Sequence, residues 1–215
     1  MPELYDDARP LSFTRTTYLD TADRSYFRSC TGGIARRLRL REYALASTLA
    51  EVPLLSGLCF LELKQSSGSR RTKVRLAATP SALERIIAGG AELVRCADGA
   101  ESRVALAALR AELAASRPSP CLTTWYRRSC LTGDEGRVRI TLDQDLCFCE
   151  PQHLGEAGEP ATPNRIVARG PARILEIKYR GEAPGWLARA TLGLIAAPTF
   201  SKFRVGMLAL DRQAV

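Results

Sequence analysis

Apolar and charged residues alternate at every second position through much of this 215-residue chain, and a period of two predicts strands. Thr14 to Asp20 (TRTTYLD) is rich in Thr and Tyr. In Ala35 to Tyr43 (ARRLRLREY), Arg37, Arg39 and Arg41 share one face and Leu38 and Leu40 the other. Leu58 to Gln65 sets Phe60, Glu62 and Lys64 against Cys59, Leu61 and Leu63, and Arg71 to Leu76 groups Arg71, Lys73 and Arg75. Leu122 to Cys130 follows, and Gly136 to Leu142 opposes Arg137, Arg139 and Thr141 to Val138, Ile140 and Leu142. Arg173 to Arg180 places Ile174, Glu176, Lys178 and Arg180 opposite Leu175, Ile177 and Tyr179.

Helical signals are fewer. Pro80 to Ala88 starts behind Thr79, a good N-cap, and Ser102 to Ala115 consists of strong helix formers. Pro184 to Ala196 opens with Pro and carries Trp186, Leu187, Ala190 and Leu194 at helical spacing. Loop-like breaks fall at Ser66-Ser67-Gly68-Ser69, at Gly89-Gly90, at Ser116 to Pro120 and over Glu150 to Asn164, the longest and a candidate mobile loop. About eight strands and three helices define an α+β protein with a mainly antiparallel sheet. No break separates regions of different composition, so a single domain over residues 1–215 is expected.

Each amphipathic strand alone is expected to bury its apolar face and show charge to solvent. Repetition changes that picture, because five strands carry two or three cations on one face. If the sheet closes into a barrel, those faces converge on a lumen and the leucines and isoleucines turn outward against helices. The expected fold is thus a closed antiparallel β-barrel of about eight strands, forming a cationic tunnel with helices packed outside.

Composition narrows the chemistry. The 31 Lys and Arg comprise 27 arginines and only four lysines, Lys64, Lys73, Lys178 and Lys202, and the formal net charge is +8. The partners expected of such a chain are anions. A single histidine, His153, leaves almost no material for a Ser-His-Asp triad or a His-based metal site. Seven cysteines without a C-x-x-C read as free thiols in a reducing compartment. The start lacks a secretory pattern and no apolar run could span a membrane, so a cytoplasmic protein is expected. Arg suits phosphate, because its planar fork binds phosphate oxygens in pairs and stays protonated. Glu62 and Glu176 are too few to neutralise the cations. They could instead hold Mg²⁺ or Mn²⁺ with substrate phosphates completing the shell, although a cross-strand ion pair is an equal reading for Glu62.

The blocks TTYLDTADRSYFRS, RRLRLREY, FLELKQSSGSRRTKVR, YRRSCLTGDEGRVRITLDQDL, ILEIKYRGEAPGWLARAT and FSKFRVGM resemble, in order from about Thr14 to Met207, the VTC domain. That is the polyphosphate polymerase domain of the vacuolar transporter chaperone family, within the triphosphate tunnel metalloenzyme superfamily. The resemblance implies a basic lumen that binds ATP or another triphosphate and inorganic polyphosphate. By motif, Arg37, Arg39, Lys64, Arg127, Arg139 and Lys178 correspond to the catalytic cations. Lys73, Arg75, Ser201 and Lys202 correspond to further phosphate contacts. Glu176 corresponds to the metal ligand, with Glu62 as a second metal position and Mn²⁺ or Mg²⁺ as cofactor. The family's extra N-terminal strand and helix have no counterpart in the 13 residues before Thr14, and Thr199 stands where polymerases often carry lysine.

The resemblance implies a metal-dependent phosphotransferase that moves the ATP γ-phosphate onto a polyphosphate chain. A triphosphate or polyphosphate hydrolase and a polyphosphate-binding module without turnover are the alternatives. Nucleic acid is disfavoured, since the basic faces carry no stacking aromatic pattern. Asp143, in TLDQD, is read as a loop-orienting residue and not as a base.

Overall fold

The structure, a computed structural model, describes residues 11–30, 34–89, 100–133, 136–171, 173–196 and 200–213. Eight strands form one antiparallel sheet: β1 (Leu11–Asp20), β2 (Ile34–Ala46), β3 (Leu54–Ser67), β4 (Arg70–Ala78), β5 (Ser119–Gly133), β6 (Val138–Cys149), β7 (Ile166–Arg169) and β8 (Arg173–Tyr179). Five helices accompany them: α1 (Ser25–Ser29), α2 (Pro80–Ile87), α3 (Ala100–Ser116), α4 (Gly185–Ala190) and α5 (Lys202–Gln213). The strand order is β4-β3-β2-β1-β5-β6, with β7 and β8 both on the far edge of β6. Cys96 and Thr199 lie outside the described residues.

The expected closure into a barrel does not occur. Closure requires the two outermost strands to complete each other's ladder, and β4 and β8 do not pair. The β8 strand is only seven residues long and pairs with Val138 to Gln144, at the start of β6. The β4 strand pairs with Cys59 to Ser67, at the opposite end of the strand direction. The two edges are therefore staggered apart, and the architecture is an open sheet with helices on its faces.

Pairing across the ladders sorts the alternating residues onto two faces. Leu38, Leu40, Leu61, Leu63 and Leu76 occupy one, buried against Leu83 and Ile86 of α2 and Leu109 and Leu113 of α3. Thr79 caps α2 by accepting the Ala82 N–H at 3.3 Å, as its sequence predicts. On the other face α5 lies over β5 and β6. Its Phe203 stacks on Tyr18 of β1 at 4.9 Å, and a Cβ at Gly206 would collide with Leu122 and Phe148. The segment Pro184 to Ala196 is helical only to Ala190. The Thr191 hydroxyl donates to the Leu187 carbonyl at 2.9 Å, and Gly193 takes a positive φ of 83°, a conformation that ends a helix.

The stretch from Glu150 to Asn164 packs down instead of hanging free. It straps across the reverse face, where Leu55 N–H donates to the Glu159 carbonyl, Gly158 N–H to the Leu55 carbonyl and Ala161 N–H to the Pro53 carbonyl, all within 2.9 Å. Beneath it lies a buried ion pair. Arg15 Nε donates to Glu42 Oε2 at 2.6 Å and Arg15 Nη2 to Oε1 at 2.8 Å, while Gly155 N–H reaches the same Oε1 at 3.0 Å. A buried pair loses most when one partner is removed, because an uncompensated charge remains. Glu42→Gln is expected to lower stability by about 3 kcal/mol in urea unfolding. The double change Arg15→Met with Glu42→Leu should recover most of that loss. A single-variant loss below about 1 kcal/mol, the range of exposed pairs, would show that the pair does not anchor the strap.

Candidate functional site

The polar face of β2, β3 and β4 sets cations directly opposite one another. Arg37 pairs across from Lys64 and Lys64 across from Lys73, so three cations on adjacent strands stand in one row. The next row is Arg39, Glu62 and Arg75. Like charges at opposite positions destabilise a sheet, and Glu62 supplies the compensation. Its side chain is 0% exposed, with Oε2 at 2.6 Å from Arg39 Nη2 and Oε1 at 2.7 Å from both Lys73 Nζ and Arg75 Nε. Burial works to raise the Glu62 pKa, but Arg39, Lys73 and Arg41 hold it far below the usual carboxylate range. Arg75 also lies 3.8 Å over the Phe60 ring and donates to the Tyr43 hydroxyl at 3.2 Å.

A second cluster lies across β5, β6 and the start of α5. Arg128 Nε and Nη2 donate to Asp143 Oδ1 and Oδ2 at 2.6 and 2.7 Å, and Lys202 Nζ donates to Oδ2 at 2.6 Å. Burial opposes ionisation of Asp143, yet Arg128 and Lys202 keep its pKa below the ordinary value. Both cations flank the Tyr126 ring, Lys202 Nζ at 4.8 Å and Arg128 Cζ at 5.2 Å from its centroid. Arg41 joins the two clusters. It donates to the Tyr126 hydroxyl at 3.3 Å and to the Thr16 hydroxyl at 3.4 Å. The result is a diagonal stripe of cations running from the β3–β4 hairpin, past the first turn of α5, to β8.

At the far end of the stripe Thr141 faces Glu176 and Arg139 faces Lys178. Glu176 lies 3.1 Å from Lys178 and its side chain is about half exposed. Burial pushes its pKa up, and Lys178, Arg128 and Lys202 outweigh that and lower it. Of the three carboxylates on this face, Glu62 and Asp143 are saturated by cations, whereas Glu176 retains an accessible oxygen. Among the described residues no three His, Cys, Asp or Glu side chains group as a metal site.

Arg37, Arg39, Lys64, Lys73, Arg75, Arg139, Lys178, Glu62 and Glu176 therefore share one face, and Lys202 joins it from the first turn of α5, while Ser201, just before that helix, accepts the Arg204 N–H at 3.4 Å. Arg127 does not share that face. It stands opposite Phe13 and Gln144 on the reverse face, with Nη2 3.4 Å from Asp145. The cation aligned with the stripe is its neighbour Arg128. The extra residue in β6 is Asp145, at a positive φ of 58° where the β5–β6 register shifts between Trp125 and Arg127, the geometry of a β-bulge. Sequence reasoning also passed over Arg41 as a site residue, Tyr126 and the clamp on Asp143. Strand parity could have found Arg128, which lies two and four residues beyond Tyr126 and Thr124 on one face. The spacing Phe203, Gly206, Met207 and Leu210 could have found α5.

Comparison with known proteins agrees with this architecture. The VTC domain family matches residues 8–211, and the chain belongs to that family. Among solved structures it is similar to a crystal structure from Bacillus halodurans described as a "putative adenylate cyclase", with a TM-score of 0.51 and 14% identity, over 94% of this chain and 84% of that one. At that identity the likeness concerns the fold. No curated protein matches the sequence. No helix among the described residues is long and apolar enough to cross a membrane.

Lys64 has no carboxylate within bonding distance among the described residues. Burial, then Arg39, lowers its pKa to about 7, against which Glu62 pulls upward. A depressed lysine costs stability while it is protonated. That cost is present in full below about pH 7 and fades as pH rises toward the unfolded value of 10.5. With only four lysines in the chain, ¹³C-dimethylation should give a resolvable NMR set in which one signal titrates near neutrality and vanishes in Lys64→Arg. Four signals all titrating at about 10.4, the unperturbed value, would contradict the crowding described.

Proposed function

We propose that the protein is a metal-dependent phosphotransferase that moves the γ-phosphate of ATP onto a polyphosphate chain, with the diagonal stripe as its phosphate track. The observation that supports this reading is the surplus of cations over accessible carboxylates on one continuous face. Across seven strands at about 4.8 Å spacing the stripe spans roughly 29 Å, room for a chain of several phosphates. Phosphoryl transfer asks the protein for positioning and charge neutralisation and for little covalent chemistry, which suits a site without histidine. Arg39 and Arg75, held by Glu62, and Arg128 and Lys202, held by Asp143, would bind and orient the phosphates with their remaining N–H groups. Lys64, Lys73, Arg139 and Lys178 would extend the track on either side.

The donor set on this face fits a divalent cation bound by one carboxylate with substrate phosphates filling the shell, the usual mode for Mg²⁺, and not a cage of protein ligands. Glu176 is the residue to hold it, because Glu62 and Asp143 are consumed by ion pairs. When bound, Mg²⁺ or Mn²⁺ supplies neutralisation of the phosphate oxygens as the bond to the leaving group breaks.

Incubation with ATP and Mn²⁺, followed by gel sizing, is expected to yield lengthening polyphosphate. Orthophosphate alone would make the protein a hydrolase, and binding without turnover a polyphosphate-binding module. Glu176→Gln should abolish metal-dependent turnover while leaving metal-free tripolyphosphate binding intact or tighter, since a negative charge has left an anion site. Retained metal dependence in a destabilised Glu176→Gln protein would show that Glu176 is only an ion-pair partner of Lys178.

A further inference from the structure

The Asp143 carboxylate is 2% exposed, whereas the side chains it holds, Arg128 and Lys202, are 19% and 16% exposed. The anion therefore sits underneath and the cations above it. Arg128 spends Nε and one Nη2 hydrogen on Asp143, which leaves three of its five N–H donors. Lys202 spends one of its three. The Tyr126 ring is buried and lies within 5.2 Å of both cationic groups. Arg128 belongs to β5, Asp143 to β6 and Lys202 to the first turn of α5, so one carboxylate fixes the mutual placement of three elements.

We infer that Asp143 is a positioning residue that holds Arg128 and Lys202 as a preassembled two-cation clamp for a phosphate group of the bound chain. This rests on the proposed phosphate track. The arrangement makes a prediction opposite to that of simple charge. Removing an anion from beside two cations should tighten binding of a polyanion if Asp143 does no more than compete for them. If Asp143 aims them, its loss frees two flexible side chains, and their ordering then opposes binding.

Tripolyphosphate affinity, measured calorimetrically together with the melting temperature, tests this in the full chain. Asp143→Asn is expected to weaken binding by roughly tenfold, the scale of coupling within one network, despite its added net positive charge. The loss should shrink when Arg128 is already Met. Asp143→Glu keeps the charge and serves where the Asn variant does not fold. It displaces the carboxylate by one methylene and should also weaken binding, by less. Tighter binding in Asp143→Asn, or unchanged affinity with only a lowered melting temperature in either variant, overturns the positioning role. If the wild-type chain binds no tripolyphosphate, the phosphate track itself fails, and the clamp with it.

Discussion

Cations aligned on neighbouring strands repel one another, and the polar face of this sheet exists only because that repulsion is met from below. Two carboxylates do it. Glu62 lies under Arg39, Lys73 and Arg75, and Asp143 lies under Arg128 and Lys202. Each is withdrawn from solvent, where an unpaired charge would be costly, and each is kept ionised by the groups it serves. The compensation is partial. Arg37 and Lys64 stand side by side, with no carboxylate of their own among the described residues, so the face keeps a surplus of positive charge. In the proposed function, an anion arriving from outside would offset that surplus.

Much of the strand plan was written in the alternation itself. The run ARRLRLREY can satisfy its leucines only by turning every arginine to the other side, and β2 does so. The same logic put Glu62 and Lys64 on the face of Arg39 before any pairing was known. Parity also puts Arg128, with Tyr126 and Thr124, on the cationic face, where the motif match points to Arg127. The bulge at Asp145 in β6 is announced by no local pattern. Closure was equally invisible, because whether β4 meets β8 is decided by stagger accumulated over the intervening ladders. The strap from Glu150 to Asn164 reads as loop by its Gly and Pro content. Its docking depends on Leu55 and Glu42, about a hundred residues away in sequence, and such contacts leave no periodic trace. Asp143 reads in the sequence as a residue that orients a loop; the structure gives it Arg128 and Lys202 instead, and Lys202 sits on α5, a helix outside the predicted ones.

The order of the sheet divides the protein unequally in charge as well as in space. Strands β1 to β4 pair in succession and β6 carries β5, β7 and β8, and among the described strands the two groups meet along the β1–β5 ladder. Glu62 and the cations it serves all belong to the first group, while Asp143 and Arg128 belong to the second and Lys202 to α5, which follows it in the chain. Each half balances its own buried carboxylate. Arg41, reaching from β2 to Tyr126 of β5, is a direct polar side-chain link between the two clusters.

The seam is gripped from both sides by the second half, through α5 with Phe203 against Tyr18 on one face and through the strap on Glu42 on the other. A ladder joining residues about a hundred positions apart pays a large loop-closure entropy before it gains any contact. Joining the halves is thus the topologically expensive step in building this molecule, and neither half alone displays the full stripe. In the proposed function, a phosphate chain long enough to cross the seam would act as a staple between the two halves, and a short one would not. Substrate length and the cohesion of the fold would then be linked quantities.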